Sequence, residues 1–318
     1  MIVAKDGSGN FTAIQEAIDS IPEKNEDKVI IQMKGGIYEE KLIINKPFVV
    51  LEGMENEEVI ISFGDYAKKL GEGGAELGTF GSYSTLITGA NFYAKNITFR
   101  NDAGPGTEVG QALAMYVDAD KCRFEDCSFL GSQDTIFLGP LPPKPMKGNS
   151  FGGPREGAEK KVGHSYFNRC YIQGDVDFIF GSGVSVFENC EIFSLDRGMD
   201  VNGYITAAST PKHSEFGFVF INCRLTSNAA ADSVYLGRPW RDFAKTVFIN
   251  CWMGEHIKRE GWDNWNKSQA ETTTYYGEYN SHGPGGNMDA RVSWARVLTE
   301  QEVKQFSSEK ILDFLNSI

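Results

Sequence analysis

Two aspartates in this sequence lie within apolar runs that are typical of strands. Asp134 lies in Gly-Ser-Gln-Asp-Thr-Ile-Phe (residues 131–137), and Asp177 lies in Val-Asp-Phe-Ile-Phe-Gly (residues 176–181). A single aspartate of this kind usually faces solvent at a turn. Two carboxylates that share one groove can instead divide acid and base roles, when their surroundings separate their pKa values. The pair therefore predicts acid–base or nucleophilic chemistry, provided that the fold brings the two runs together.

Four further side chains would suit such a site. Gln111 and Gln133 carry amide groups that can donate hydrogen bonds to a developing oxyanion. Arg238 can hold a carboxylate ionised and oriented through a two-pronged hydrogen bond. Trp240, two residues later, offers an indole on which a sugar ring can stack.

The motifs of other enzyme classes fit less well. A Gly-x-Ser-x-Gly string at residues 148–152 lies inside a Pro- and Gly-rich segment, whereas a serine-hydrolase elbow needs a strand before it and a helix after it. The histidines His164, His213, His256 and His282 stand in unrelated contexts, and none accompanies a nucleophile motif. The sequence also has neither a P-loop nor the His-Glu-x-x-His zinc motif.

The spacing of the cysteines indicates which secondary structure positions these residues. Five of the six cysteines end a Phe-x-x-Cys string, at intervals of 20 residues (Cys170 to Cys190) to 43 residues (Cys127 to Cys170). A recurring unit of this size is typical of a solenoid. The five strings end at Cys127, Cys170, Cys190, Cys223 and Cys251.

Each repeat is short, rich in Phe, Val and Ile, and bounded by Gly, Asn or Asp, which predicts a strand and a turn. Short strands without long helices between them favour an all-β fold, a right-handed parallel β-helix. Equivalent positions would then stack about 4.8 Å apart, with Phe and Cys forming inward ladders and the Asn before Cys forming a ladder at a turn. A stack of free buried thiols is favoured over a disulfide framework, which remains the alternative. A zinc site is disfavoured because the cysteines are spread one per coil.

A solenoid needs its two ends covered. Apolar residues at helical spacing between Phe11 and Ile21 predict a short capping helix near the N-terminus. Thr299 and Glu302 form a capping box that predicts a second helix near the C-terminus, continued by the apolar run at residues 311–315. The whole chain, residues 1–318, is therefore expected to form a single β-helix domain.

One long segment interrupts the repeats. Residues 139–164 contain five prolines and six glycines, and five Lys and Arg against two Glu, in a chain whose formal net charge is −12. This composition predicts a loop. The segment is either a solvated surface insertion or a basic loop near the active site that faces a polyanion.

These residues resemble the pectin methylesterases, carbohydrate esterase family 8. The resemblance extends over nearly the whole chain, and it rests on short strings that occur in the order typical of the family. The strings lie at residues 3–12, 36–40, 111–114, 131–135, 177–181, 203–209, 236–240 and 276–280. The family has a right-handed parallel β-helix fold, as the ladders independently predict.

The resemblance implies a role for each candidate residue in removing methyl esters from galacturonate units of pectin, which gives pectate and methanol. Asp177 matches the nucleophile, and Asp134 matches the general acid that later serves as base. Gln111 and Gln133 match the oxyanion donors, and Arg238 matches the arginine that orients the nucleophile. Trp240 matches a sugar-binding aromatic residue. Weaker candidates for lining the substrate subsites are Phe180, Phe137, Val176, Thr79 and Trp265. The resemblance implies no metal and no cofactor.

The chain departs from the common family pattern in three ways. The two aspartates are separated by 43 residues rather than about one coil, and the loop at 139–164 accounts for the excess. Asp175 adds a third carboxylate, which either raises the pKa of Asp177 or points away at a bend. The acidic net charge predicts a preference for highly methylated substrate.

Three alternatives remain open from the sequence: an esterase of the same fold acting on another carboxylic ester, a β-helix polysaccharide lyase, and a carbohydrate-binding protein without activity. A negative net charge disfavours nucleic-acid partners, and no apolar run approaches the roughly 20 residues of a membrane span. The resemblance implies pectin as the partner and, from that substrate, a secreted or periplasmic location with Met1 in place of a removed leader. We also expect a monomer.

Overall fold

The computed structural model describes residues 1–313 as a parallel β-helix. Its strands, in chain order, are β1 (Ile2–Val3), β2 (Val29–Met33), β3 (Gly36–Glu39), β4 (Leu42–Ile44), β5 (Val49–Gly53), β6 (Val59–Phe63), β7 (Thr85–Ile87), β8 (Tyr93–Lys95), β9 (Thr98–Asn101), β10 (Met115–Val117), β11 (Cys122–Glu125), β12 (Ser128–Leu130), β13 (Ile136–Leu138), β14 (His164–Asn168), β15 (Tyr171–Gly174), β16 (Val176–Gly181), β17 (Val184–Glu188), β18 (Glu191–Ser194), β19 (Gly203–Ala208), β20 (Phe218–Ile221), β21 (Arg224–Ser227), β22 (Val234–Gly237), β23 (Lys245–Ile249), β24 (Trp252–Met253), β25 (Tyr275–Tyr279) and β26 (Arg296–Val297).

The strands form three parallel sheets, and from β2 to β24 each coil contributes one strand to each sheet in turn. The first sheet has eleven strands in the order β1-β2-β5-β8-β11-β14-β17-β20-β23-β25-β26. The second has eight, β3-β6-β9-β12-β15-β18-β21-β24, and the third has seven, β4-β7-β10-β13-β16-β19-β22. This arrangement confirms the expected fold class.

The interior contains the predicted ladder of phenylalanines. Consecutive ring centroids lie 4.5 to 4.7 Å apart and the rings are nearly parallel, close to the spacing of neighbouring strands. The stacked rings are Phe124, Phe167, Phe187, Phe220 and Phe248. Because this stack passes through five coils, it joins them into one continuous core.

The cysteines confirm the second ladder. All six are free and buried. Four of the five repeat thiols donate to the carbonyl of the ladder phenylalanine in the preceding coil, as Cys190 does to Phe167 at 3.4 Å and Cys223 does to Phe187 at 3.3 Å. Cys127 donates instead to the carbonyl of Glu125 at 3.2 Å. Burial raises the pKa of the Cys127 thiol to about 12. Burial also raises the pKa of the Cys122, Cys170 and Cys223 thiols, so these cysteines are apolar core groups.

The residue before each repeat cysteine forms the turn between the first and second sheets. Asn189, Asn222 and Asn250 have φ angles of 55°, 54° and 53°, and Asp126 and Arg169 have φ angles of 52°. Asn and Asp are the side chains that tolerate this left-handed conformation best. The expected ladder at a turn is therefore present, with an arginine at one position.

Five short α-helices complete the described chain: α1 (Ile14–Asp19), α2 (Gly106–Val109), α3 (Ala270–Thr273), α4 (Glu300–Val303) and α5 (Ser308–Ile311). The helix α1 is shorter than the expected 11–21, because Phe11 forms a β-bridge with Val3. Its first turn is capped from across the chain, since Glu40 accepts from the backbone N–H groups of Ile14 and Gln15.

The C-terminal capping box is present at Thr299 and Glu302, but α4 and α5 are two separate helices. The last helix packs on the outer face of the first sheet, where Ile311 of α5 belongs to the same apolar cluster as Val186 and Val219. Trp262, stacked 4.1 Å from Tyr276, extends the interior beyond the ladder. Residues 314 and 315, expected to continue the last helix, lie outside the described residues. Among the helices of residues 1–313, none has the length and hydropathy to cross a bilayer.

Candidate active site

The candidate catalytic residues lie on the outer face of the third sheet. Side chains alternate along its strands: Ile136, Leu138 and Ile179 face the interior core, whereas Phe137 and Phe180 belong to a separate outer cluster. This outer cluster forms an apolar floor on which polar groups at the strand ends are placed.

Asp134 and Asp177 lie side by side on neighbouring coils. The strands β13 and β16 pair with Ile136 opposite Ile179, and each aspartate stands two residues before its paired isoleucine. The backbone N–H of Asp134 donates to the carbonyl of Val176 at 3.0 Å. The 43-residue separation therefore leaves the coil register intact, because the intervening loop leaves and re-enters the stack between β13 and β14.

A β-bulge aims Asp177 out of the sheet. Between the pairs Val176–Tyr204 and Ile179–Thr206, two residues of β16 stand opposite one residue of β19. Asp177 has a φ of 51°, and Asp134 has a φ of 62°. Bulges of this kind redirect a side chain. Phe178 is consequently in the interior core, and the neighbouring aspartate faces the cleft.

Arg238 holds the Asp177 carboxylate with two hydrogen bonds. Its Nε lies 2.8 Å from Asp177 Oδ1, and its Nη2 lies 2.7 Å from Oδ2. The guanidinium is placed between two aromatic rings, with its carbon 3.8 Å from the ring centroids of both Tyr204 and Trp265. Gly237 permits this position, since a Cβ there would overlap the Thr206 hydroxyl. A cation held on both faces by rings and at its edge by a carboxylate has little freedom to move.

The surroundings separate the pKa values of the two aspartates. Burial and the nearby Asp177 charge raise the pKa of Asp134 well above its usual value. Burial also raises the pKa of Asp177, but the Arg238 charge and hydrogen bonds oppose that effect. Asp134 forms no ion pair within residues 1–313. The arrangement favours a protonated Asp134 beside an ionised Asp177, which is the division of roles that acid catalysis with a carboxylate nucleophile requires.

The two glutamines line the same cleft. Gln111 and Gln133 stand on adjacent coils and are joined by a parallel β-bridge. Within the described part of the chain, neither side-chain amide donates a hydrogen bond to another protein group. Both amides are thus free to donate to a ligand in the cleft.

The cleft has a volume of about 240 Å³ and is bordered by aromatic rings. Thr79, Phe180, Trp240 and Trp265 line it, as the sequence predicts for a sugar-binding surface. Trp240 is half-buried rather than fully exposed, since its ring packs 5.8 Å from Phe180.

Two expected lining residues lie elsewhere. Phe137 is fully buried, because Tyr116, Phe80 and Phe180 cover its ring. Val176 precedes the bulge, is 7 % exposed and is absent from the cleft wall; its backbone carbonyl instead accepts from Asp134. Phe137 supports the floor of the cleft rather than touching a ligand.

The structure adds residues that sequence reasoning missed. Phe80 and Ala207 line the cleft, and Tyr204 stacks on Arg238. Tyr204 alternates with Ile205, a core residue, so the alternation of β19 would have placed it on the outer face. Phe80 comes from the Gly-rich excursion at 63–83, where no strand period gives a side-chain direction.

Asp175 does not join the catalytic pair. It lies at a bend before β16, is 3 % exposed, and its Oδ1 accepts from the backbone N–H of Val176 at 2.6 Å. A Cβ on Gly106 would lie 3.1 Å from its Oδ2, so the carboxylate is covered by the start of α2. Burial raises the pKa of Asp175. Asp175 therefore lies at a bend, but its carboxylate is buried rather than pointing out, and its charge contributes to the raised pKa of Asp134.

Known proteins of one family are similar to this chain over nearly its whole length. The Pectinesterase family model matches residues 1–139 and 160–314. Pectinesterase 31 of Arabidopsis thaliana is 35 % identical over 318 residues, covering 98 % of this chain and 91 % of the relative. The solved pectin methylesterase from carrot has a TM-score of 0.83 at 28 % identity, covering 99 % of this chain and 93 % of its own. A pectin methylesterase in complex with a hexasaccharide has a TM-score of 0.79 at 30 % identity, covering 98 % of this chain and 96 % of that chain.

The family match is interrupted only where the sequence departs from the repeats, between residues 139 and 160. The match otherwise includes every coil that carries a candidate catalytic side chain. The chain belongs to the pectinesterase family of carboxylic ester hydrolases.

Proposed function

We propose that this chain hydrolyses methyl esters of galacturonate units in pectin, with Asp177 as nucleophile and Asp134 as acid and base. The observation that carries this assignment is the pairing of an arginine-bound carboxylate with a buried, partnerless one on adjacent coils. Family membership supports the substrate, and the aromatic border of the cleft suits a sugar chain.

The first half of the reaction forms an acyl-enzyme. A carboxylate oxygen of Asp177 bonds to the ester carbonyl carbon, and the negative charge moves to the carbonyl oxygen, where Gln111 and Gln133 donate hydrogen bonds. The carbonyl re-forms as the bond to the methoxy oxygen breaks. Asp134 gives its proton to that oxygen, so methanol leaves and an anhydride joins the sugar to Asp177.

The second half returns the enzyme to its starting state. Asp134, now ionised, takes a proton from water as the water oxygen bonds to the acyl carbon. The anhydride bond to Asp177 then breaks, which releases a galacturonate carboxylic acid that ionises in solution. Asp134 is protonated again and Asp177 is again a carboxylate beside Arg238.

Binding and location follow from the same proposal. Trp240, Phe180, Thr79 and Trp265 contact the sugar rings that flank the reacting ester. We propose that the protein acts as a monomer. It acts outside the cytoplasm, where a plant polysaccharide is present.

The test is methanol release from highly methylated pectin by the wild type, Asp177→Asn and Asp134→Asn. We expect each substitution to lower kcat by about 10³-fold or more, because each removes a group that acts in the transition state. Asp289→Asn, an exposed aspartate far along the chain, is the matched control and should retain wild-type rates.

Two results would contradict the proposal: a wild type that releases no methanol, or an Asp177→Asn variant as active as the wild type. Assaying the same samples for unsaturated sugar products separates ester hydrolysis from lyase chemistry. Near-ultraviolet circular dichroism of each variant distinguishes lost chemistry from a lost fold.

A further inference from the structure

A second groove adjoins the candidate catalytic cleft. It has a volume of about 660 Å³ and lies between the start of the 139–164 loop and the segments that follow β19 and β22. Trp240 lines both the groove and the cleft. A ligand that crosses Trp240 therefore passes from one to the other.

The groove is positively charged, although the chain as a whole carries a net charge of −12. Lys160, Lys212, Arg241 and Lys267 line it, against a single carboxylate from Asp242. None of the four cations forms an ion pair with a carboxylate of residues 1–313. The groove thus presents several uncompensated charges within one concave surface.

Backbone carbonyls hold two of these cations, both half-buried, at the wall of the groove. Lys267 Nζ donates to the carbonyls of Pro239 at 2.7 Å and Trp240 at 3.1 Å. Arg241 Nη2 donates to the carbonyl of Lys144, in the loop, at 2.6 Å. Carbonyl groups orient a cation but do not neutralise it. Burial accordingly lowers the pKa of both Arg241 and Lys267.

The other two cations are exposed at the rim. Lys160 lies on the loop side, and Lys212 lies on the opposite side, after β19. Lys160 also donates, within its own loop, to the carbonyl of Glu156 at 3.1 Å. The rest of the lining combines nonpolar side chains with the polar Ser182, Ser209, Thr210, His213 and Gln269. The apolar wall residues are Pro140, Leu141, Pro142, Pro143, Met146 and Phe243.

This combination matches an unesterified galacturonate unit, which has a carboxylate on an otherwise partly apolar ring. We propose that the groove binds unesterified galacturonate units of the same pectin chain whose next ester occupies the cleft. This inference rests on the proposed function, because such units are the product of that reaction. The segment between residues 139 and 160 lies outside the family match, so the loop wall of the groove is a feature of this chain.

The groove also changes an expectation drawn from composition. The acidic net charge alone predicts a preference for highly methylated substrate. Local charge decides binding at short range, since a Debye length is only about 8 Å at physiological ionic strength. We therefore expect partly de-esterified chains to bind better than their net repulsion from the protein would suggest.

The experiment measures binding of an unesterified galacturonate hexamer by isothermal titration calorimetry at low ionic strength. Lys160→Gln/Lys212→Gln removes the two rim charges, and Lys147→Gln/Lys161→Gln removes two exposed loop charges that do not line the groove. Both double variants have the same net charge, so any difference between them reports position. We expect Kd to rise about fivefold to tenfold for the groove variant, and less than about twofold for the control.

The same titration with a fully methyl-esterified hexamer shows whether charge is the cause, because its affinity should change little in either variant. Equal affinities of the two double variants for the unesterified hexamer would overturn the inference, as would a wild type that does not bind it. A wild type that binds the hexamer but releases no methanol would instead overturn the proposed function. The two failures are therefore distinguishable.

Discussion

Arg238 sets the charge of Asp177 from a fixed position. Its guanidinium carbon lies 3.8 Å from the ring centroids of Tyr204 and Trp265, and its two nitrogens reach both carboxylate oxygens. The rings hold the cation without competing for its hydrogen-bond donors. Arginine at this place consequently offsets the cost of burying an ionised aspartate.

The pH profile of activity should depend on Arg238. The proposed nucleophile, Asp177, acts when ionised, so we expect activity to rise as the pH passes its pKa. Arg238→Gln removes the charge that lowers this pKa, and the acidic limb of the kcat/KM profile should move up by about 1 pH unit or more. Arg238 also lowers the pKa of Asp134, so the alkaline limb should move up as well.

Arg238→Lys is the matched comparison, because it retains the charge and loses the paired hydrogen bonds. Its limbs should move less than those of Arg238→Gln. The measurement is initial methanol release on methylated pectin across the pH range at low substrate concentration. Limbs that stay in place while kcat falls would show that Arg238 affects geometry and not ionisation.

The polar residues of the site could be predicted from sequence more readily than its aromatic ones. Asp134, Asp177 and Arg238 stand in short strings of fixed composition, and strand pairing brings those strings together. Phe137 is outward-facing as expected, but rings from other segments cover it. Whether an outward side chain is buried depends on loops such as the one that carries Phe80. The conformation of these loops cannot be predicted from the periodicity of the strands.

The element that repeats most regularly is the two-residue turn between the first and second sheets. Its first residue has a positive φ in each of the five cysteine repeats, and the cysteine that follows points inward. The left-handed conformation costs most L-residues about 1–2 kcal/mol. An asparagine at this position therefore stabilises a turn whose geometry the stack repeats from coil to coil.

Asn222 tests this account, since its side chain makes no hydrogen bond to the described chain and any effect comes from its backbone. Asn222→Ala should lower the free energy of unfolding by about 1 kcal/mol. Asn222→Gly should retain more stability, because glycine adopts positive φ without steric cost. Urea unfolding followed by circular dichroism gives both values.

Asn149→Ala is the control, as Asn149 is exposed in the loop and its φ is not positive. This substitution should leave the midpoint of urea unfolding unchanged. If Asn222→Ala and Asn222→Gly were equally stable, conformational strain would not explain the asparagine ladder.

The ends of the N-terminal helix could not be predicted from the sequence. The spacing from Phe11 to Ile21 suits a helix, but Phe11 pairs with Val3 and only Ile14–Asp19 is helical. Pairing with a neighbouring strand outweighs a weak local propensity. The inward ladders, by contrast, can be predicted from the sequence alone. The same residue type recurs at the same position of each repeat, and the prediction does not require knowing which segments pack nearby.

At the scale of the whole molecule, the first sheet extends from β1 to β26, the second from β3 to β24 and the third from β4 to β22, each without a break. The expectation of one domain stays a prediction, and these continuous sheets are its basis. The phenylalanine stack crosses the middle coils, and Trp262 and Tyr276 extend it toward the C-terminal end. In a stack of this kind each coil is stabilised by both neighbours.

A single domain predicts a single unfolding transition. All five tryptophans lie between Trp240 and Trp294, so fluorescence reports the C-terminal coils, whereas far-ultraviolet circular dichroism reports strands throughout. Because the coils share one core, the two signals should change with the same midpoint in urea. Midpoints that differ by more than the fitting error would indicate that the C-terminal coils unfold separately from the rest.

The buried thiols make it possible to follow the unfolding of individual coils by chemical labelling. A thiol-alkylating reagent cannot reach Cys127, Cys170, Cys190, Cys223 or Cys251 while the coils are closed, because each is buried and protonated or held against a backbone carbonyl. With one such sulfur per coil, the sequence in which peptides acquire the label would give the sequence in which successive levels of the solenoid come apart. The cysteines that pack the core therefore also mark the position of each of these coils along the axis of the solenoid.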